Sequence, residues 1–467
     1  MVLRIRGWAG PDRRTVLIMG AAALGLLVLG TATAIGTGDY ALLAVFALIA
    51  AAPALAYAAL RLPYVFPFGL YCLLVPFDEV INLPGAGSLD RYLALGIVAS
   101  LIAHAFRLRR MQRAPLALIV WGLFLGWVLI GMLRSVDDHA ISTVQVFVGL
   151  IVCYAATAVA PIEERQLRFL VAATVAGGVI AALYGLYLFH ADPTLYAKMG
   201  SRATIAVMGR TLDQNIYADS LLAPFTFALV ALTRARTPLT ILGSFAAVGI
   251  IVAAVLASLS REAFLALGVI VAVVVWFSRR RMLGIALAIP SLGALALVPS
   301  VWDRINEAIQ SGGAGRTSIW KVDWAAFLQH PFFGWGTGNA VEAYDRFYLA
   351  VYQLHFAGWS REPHNTVLYI AVELGLVGVA LFLAGSFAAL RPLTKIRRGD
   401  GLYDLRVGLT AALVGLLVAS NFVDVSTTKF YWLVLSFAAQ LRMLAVTRAH
   451  AIESAPAVYE PPPRPLA

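Results

Sequence analysis

Charge is what this sequence has least of: only 13% of its 467 residues are Asp, Glu, Lys or Arg, while 61% are hydrophobic. With a mean hydropathy of +0.82, such a chain cannot hide its apolar side chains from water in one core, which excludes a soluble domain. Cysteine is almost absent. The two present, Cys72 and Cys153, lie far apart inside apolar runs, so they imply neither a disulfide framework nor a metal site. No internal repeat of fixed period is visible. Acidic residues are scarcer than basic ones, 25 against 36, for a formal charge of +11.

What is present is a succession of apolar runs of roughly 17–25 residues, each long enough to cross a bilayer as a helix that satisfies its own backbone. The expected fold is all-α, a polytopic transmembrane helical bundle of about 12–14 spans with one long connection that carries short helices. The spans fall near 15–36, 40–60, 63–76, 90–106, 115–133, 141–160, 167–189, 216–233, 238–258, 262–278, 282–299, 365–390, 406–423 and 430–447. The first resembles a signal peptide in its basic start, but it is longer than a typical apolar signal core and reads as an uncleaved span. Basic clusters at 107–113, 278–281 and 391–406 mark the cytoplasmic face. The surplus positive charge therefore reports topology, and no nucleic-acid partner is implied. The Pro-rich tail, 448–467, reads as disordered and cytoplasmic.

Polar residues gather on the other face. The connection 300–363 is the one long loop, with helical patterns near 318–329 and 340–353 separated by the turn-rich HPFFGWGTGN. It carries Trp302, Trp320, Trp324, Trp335 and Trp359, whose rings suit either sugars or a membrane interface. Three islands on this face each offer an arginine: Arg210, Arg261 and Arg316. Any one of them could simply anchor a helix end. Together they suit an anion, because guanidinium forks grip phosphate in bidentate fashion.

The stretch SREPHNTVLYIAVELGLVG, 360–378, opens the next span. Pro363 favours an extended residue before it and Asn365 is a favoured cap, so the helix should start at His364 or Asn365. A helix N-terminus disfavours imidazolium, leaving His364 neutral and able to accept a proton. The other six histidines carry the ordinary reading of polar interface residues. Glu373 lies about 13 Å deeper at ~1.5 Å per residue, where a carboxylate needs a partner or a proton, and it reads as a structural link to a facing helix. Gly375 and Gly378 read as a small-residue packing face.

These residues resemble the O-antigen ligase and polymerase superfamily. The His-Asn signature matches PHNTVLYIAVELGLVG; an Arg, a Trp and a P-x-x-G-x-G turn match Arg316, Trp320 and PFFGWG with Trp335; a Ser-Arg pair matches Ser260 and Arg261; and an Arg, Asp and Asn region matches Arg210, Asp213 and Asn215. The resemblance covers roughly 205–390, which divides the chain into N-terminal spans (1–204), this core with its loop 300–363, C-terminal spans (391–447) and the tail. The sequence DQN at 213–215 departs from the family's usual Asp-Pro-Asn.

The resemblance implies a glycosyltransferase of the bacterial inner membrane, acting at its periplasmic face without cofactor or metal. The donor would be a glycan on undecaprenyl diphosphate, and the acceptor a hydroxyl of lipid A core or of a growing polysaccharide. His364, Arg210 and Arg261 would be catalytic; Arg316, Asn215, Asn365, Trp320 and Trp335 would bind substrate. Protein O-glycosylation is a third activity of the same superfamily. The rival class is a transporter or flippase of lipid-linked sugars, which would place ionisable residues near the midplane, where Asp219 and Glu373 are the acids on offer.

Overall fold

In a computed structural model the described residues are 65–78, 80–83, 87–108, 114–135, 139–160, 162–192, 196, 201–207, 209–278, 306, 316–351 and 359–453. The chain divides into two compact units, Met1–Pro67 and Phe68–Ala467; the first lies almost wholly outside the described residues, and the second holds nearly all the described helices. The expected spans 15–36, 40–60 and 282–299 also fall outside the described residues.

The described residues form a helical membrane protein. Its helices are α1 (Val65–Leu74), α2 (Leu89–Leu108), α3 (Leu116–Met132), α4 (His139–Val159), α5 (Glu164–Ala191), α6 (Gln214–Ser220), α7 (Leu222–Arg234), α8 (Pro238–Ser258), α9 (Arg261–Phe277), α10 (Arg316–Gln329), α11 (Ala340–Val351), α12 (Thr366–Leu390), α13 (Tyr403–Ala419) and α14 (Lys429–Glu453). Extended structure among the described residues is confined to two short hairpins: β1 (Asn82–Leu83) with β2 (Gly87–Ser88), and β3 (Ala206–Val207) with β4 (Arg210–Thr211). Among the described residues, six segments are long and apolar enough to cross a membrane: α4, α5, α6 continued into α7, α8, α12 with the turn after it, and most of α14.

Local chemistry sets the helix ends. Thr237 caps α8 reciprocally with Thr240 and is followed by Pro at the first helical position, where a missing N–H costs nothing. Asp213 caps α6 by accepting the N–H groups of Asn215 and Ile216. At the basic end, ion pairs stitch four helices: Asp404 of α13 accepts Arg168 of α5 at 2.7 Å and Arg234 of α7 at 2.6 Å, while Arg448 of α14 pairs with Glu164 of α5. Midway, the fully buried Trp121 of α3 sits against Phe382 of α12 and Trp432 of α14 at centroid distances of 5.6 and 4.6 Å. Lipid is as apolar as leucine, so such close-fitted contacts, rather than expulsion from water, hold these helices together.

The glycine at 375 departs from the expected packing role. Its φ of 67° and ψ of −168° break α12 in its first half. The loop 331–339 fills the break: Trp335 N–H donates to Val372 O at 2.8 Å, Gly336 N–H to Glu373 O at 2.9 Å, and Leu376 N–H to Pro331 O at 2.8 Å. Trp127 of α3 adds its indole N–H to Leu374 O at 2.9 Å. HPFFGWGTGN is thus more than a turn between cap helices. It is the plug that satisfies the polar backbone a broken span would otherwise leave bare.

Glu373 sits in this joint, 2% exposed, accepting Ala340 N–H at the start of α11 at 3.3 Å. Gly375→Ala is expected to lower stability by at least about 2 kcal/mol, since a Cβ there lies 2.3 Å from the Phe332 carbonyl carbon and oxygen in a left-handed conformation. Thermal unfolding in detergent measures it, and Gly249→Ala in α8, whose Cβ meets nothing within 4 Å, should shift stability by no more than ~0.5 kcal/mol.

Candidate functional site

Five segments converge at the end of the bundle away from the ion-pair cluster. They are the hairpin β3–β4 leading into α6, the turn between α8 and α9, the first turn of α10, the segment 360–366, and the loop 420–428 after α13.

The α8–α9 turn is tight because Leu259 takes a left-handed conformation, φ 52°, which costs about 1–2 kcal/mol for a residue with a Cβ and is found where geometry matters. It brings Arg261 to the first position of α9 and Glu262 next to it. Glu262 is 3% exposed and faces Arg316 of α10, whose Nη1 and Nη2 each lie 3.4 Å from a different carboxylate oxygen. This long bidentate pair ties the cap to the bundle. The Arg316 guanidinium also stands 5.8 Å over the Phe422 ring.

Segment 360–366 is clamped on three sides. Asp345 of α11 accepts the Ser360 N–H at 2.7 Å and hydroxyl at 3.0 Å. Trp320 of α10 donates its indole N–H to Pro363 O at 2.8 Å. Asn365 caps α12 by accepting Leu368 N–H at 2.9 Å and donates to Asn421 O at 3.1 Å, while Thr366 exchanges bonds with Ser420, Val423 and Val425. His364 lies one residue before the cap with φ 47°.

The charges of Arg316, Asp213, Arg361 and Glu262 all act on the His364 imidazole, which brings the α6, α9 and α10 segments to one place. Its pKa lies below the ordinary 6.5, chiefly because surrounding atoms desolvate it and then because Arg316 repels a proton. His364 as a residue is nevertheless exposed, so its desolvation is partial. Glu362, two residues earlier, is pushed the opposite way for the same first reason.

The structure thus brings together His364, Arg316 and the α6 and α9 N-termini that bear Asn215 and Arg261. Arg210 stands exposed on β4, three residues before Asp213. Asn215 is engaged by Arg202, whose Nη2 donates to Asn215 Oδ1 at 2.5 Å and whose Nε donates to Ser258 O at 2.8 Å. Trp335 is a packing residue of the cap: its indole N–H donates to Ala326 O at 2.8 Å and its ring contacts His330, Phe347 and Arg346. Gly378 packs against Leu374 within α12.

Sequence reasoning missed Arg202 and Glu262. Nothing local marks Arg202, but Glu262 directly follows Arg261 in a first helical turn, and a buried acid beside a cation was there to be paired. Among the described residues, no group of three or more His, Cys, Asp or Glu side chains is placed to hold a metal ion.

Residues 245–383 match the family model described as O-antigen ligase. This match supports the O-antigen ligase/polymerase superfamily and an O-antigen ligase-type membrane glycosyltransferase. The matched segment contains Arg261, Arg316, Trp320, His364 and the break in α12 at Gly375; Arg210 and Asn215 lie before it. No curated protein matches the chain.

One buried acid of the cap faces no partner. Asp323 of α10 is 0% exposed, neither carboxylate oxygen has a hydrogen-bond partner among the described residues, and burial raises its pKa to about 8. An acid whose folded pKa exceeds its unfolded value of 3.8 favours the fold fully below that value, and the advantage is lost as pH rises through about 8. The melting temperature should therefore fall as pH climbs across that interval. Asp323→Asn, which cannot ionise, is expected to flatten the fall, as pH-dependent thermal unfolding would reveal.

Proposed function

We propose that the chain transfers a glycan from undecaprenyl diphosphate to an acceptor hydroxyl at the periplasmic end of the bundle, as a polysaccharide ligase or polymerase. The observation that carries this reading is the neutral-leaning His364 imidazole held beside the Glu262-anchored Arg316 guanidinium. His364 takes the proton of the attacking hydroxyl. The anomeric C–O bond to the diphosphate breaks with its electron pair on the phosphate oxygen, as the new C–O bond forms from the acceptor.

Arg316, with Arg261 and Arg210 from the neighbouring segments, meets the charge that collects on the leaving diphosphate. Preorganised guanidinium groups suit that task because the charge develops at a fixed place. With cations supplied by the chain, transfer proceeds without a metal. Asn365, Asn215, Trp320 and Trp335 act in this reading as positioning residues, since their side chains already hold backbone or another side chain. Lipid A core and a growing polysaccharide are the acceptors best suited to an O-antigen ligase-type chain.

The broken α12 gives the transporter reading its one specific support, because discontinuous spans often build midplane sites. Here the freed backbone groups are taken by loop 331–339 instead of facing a cavity.

His364→Ala should lower transfer by about 10²–10⁴-fold in a reconstituted assay with lipid-linked oligosaccharide, while the purified protein melts as before. Unchanged turnover would remove the base from the mechanism, and solute movement without glycan product would favour transport. Arg316→Lys keeps the charge but loses the fork, and its rate should fall while membrane insertion is retained. Because the His364 pKa is lowered from 6.5, the imidazole is neutral at pH 7, and the rate should decline only as pH drops through a value under 6.5. Excess chelator should leave turnover intact; loss reversed by a divalent ion would contradict the metal-free step.

A further inference from the structure

At the opposite end of the bundle from His364, α5, α7, α8, α9 and α13 line a half-open cavity of about 880 Å³, within the range of about 300–1,000 Å³ common for small-molecule sites. No step of the proposed transfer uses it. Its mouth is cationic: Arg168, Arg234 and Arg236 line it with Asp400 and Asp404. Arg168 and Arg234 are both spent on Asp404, at 2.7 and 2.6 Å, and Asp400 takes Arg448 at 3.2 Å. Arg236 is exposed in the loop between α7 and α8 and is paired with no carboxylate among the described residues. Among the described lining arginines, Arg236 is thus the one without a carboxylate partner.

The flank of the cavity is apolar and narrow-sided. On α8 it is lined by Gly243, Ser244 and Ala247, and a Cβ at Gly243 would meet nothing within 4 Å. Facing them on α5 stand Val171 and Val175. Small residues here leave a groove where helices of ordinary composition would close on each other. The same helix presents Leu239, Leu242 and Phe245, 80%, 66% and 55% exposed, a surface suited only to acyl chains. A guanidinium above an apolar groove beside a lipid-facing helix matches an amphiphile with an anionic head. Basic pockets between membrane helices are known to recognise lipid head groups in this way.

We propose that this cavity seats an anionic glycerophospholipid of the leaflet at the basic end, its phosphate on Arg236 and one acyl chain in the groove between α5 and α8. The lipid would complete the junction that Asp404 begins, filling space between helices whose polar ends are already tied. This reading is independent of the transfer chemistry at His364.

Full-length protein, stripped of lipid in detergent, would be offered phosphatidylglycerol, phosphatidylcholine or inorganic phosphate, with bound lipid counted by native mass spectrometry and melting followed in parallel. Phosphatidylglycerol should be retained about fivefold better than phosphatidylcholine, whose choline offsets the phosphate charge; the ratio is equivalent to the ~1 kcal/mol of one arginine near net-anionic lipid, and binding should raise the melting temperature. Arg236→Gln should bring retention of the two lipids level, and Gly243→Trp, filling the groove, should reduce both. Melting of the lipid-free Arg236→Gln variant should match the parent. Equal retention of both lipids by the parent, undiminished preference in Arg236→Gln, or protection by inorganic phosphate alone would overturn the proposal. Should Gly243→Trp fail to reach the membrane, the Arg236→Gln comparison decides the matter.

Discussion

A span interrupted inside a membrane must have its freed backbone groups met by something other than water, and in this protein that obligation falls on nine residues of a loop. Gly375 breaks α12, and the segment 331–339 supplies the donors and acceptors that the helix no longer supplies to itself. The cap helices α10 and α11 flank that segment, so they are held in register with α12. Through Trp320 and Asp345 they hold the stretch that carries His364. The placement of Trp320 and Asp345 against the segment 360–366 follows from this joint. Glu373 reinforces it from within by holding the first turn of α11.

The site itself is built from ends rather than from helix faces. Arg261 opens α9, Asn215 lies in the first turn of α6, Arg316 opens α10, and His364 directly precedes Asn365, the cap of α12. Helix N-termini present unpaired N–H groups and a positive dipole end, so several of them gathered together make a rim suited to negative charge before any side chain is counted. Arginines add to that field, while Glu262 pairs with Arg316 and Asp213 caps α6. Desolvation and Arg316 lower the His364 pKa there, and Asp213 and Glu262 work the other way.

Much of this arrangement is legible in the chain, because the apolar runs coincide with most of the described helices. The helix start at Asn365 follows from Pro363 and a capping side chain, and the observed helix indeed begins at Thr366. The two cap helices also lie close to where their periodicity puts them, at Arg316–Gln329 and Ala340–Val351. What periodicity cannot express is a pairing between residues distant in sequence. Arg202 bridging Asn215 and Ser258, and Glu262 receiving Arg316, are such pairings. Gly375 escapes a sequence reading for a related reason: a glycine in an apolar run serves equally as a close contact or as a left-handed break, and only the approaching Phe332 carbonyl distinguishes them. Trp335, by composition a candidate sugar platform, has its ring and its N–H inside the cap.

The plugged break also constrains how the molecule is put together. Synthesis delivers residues 331–339 before the helix they complete, so the loop must wait, with its amide and carbonyl groups solvated, until both halves of α12 have entered the bilayer and α3 has offered Trp127. Insertion of the span and docking of the plug are therefore separate events in time, and the second is the one that turns a set of threaded helices into an assembled site.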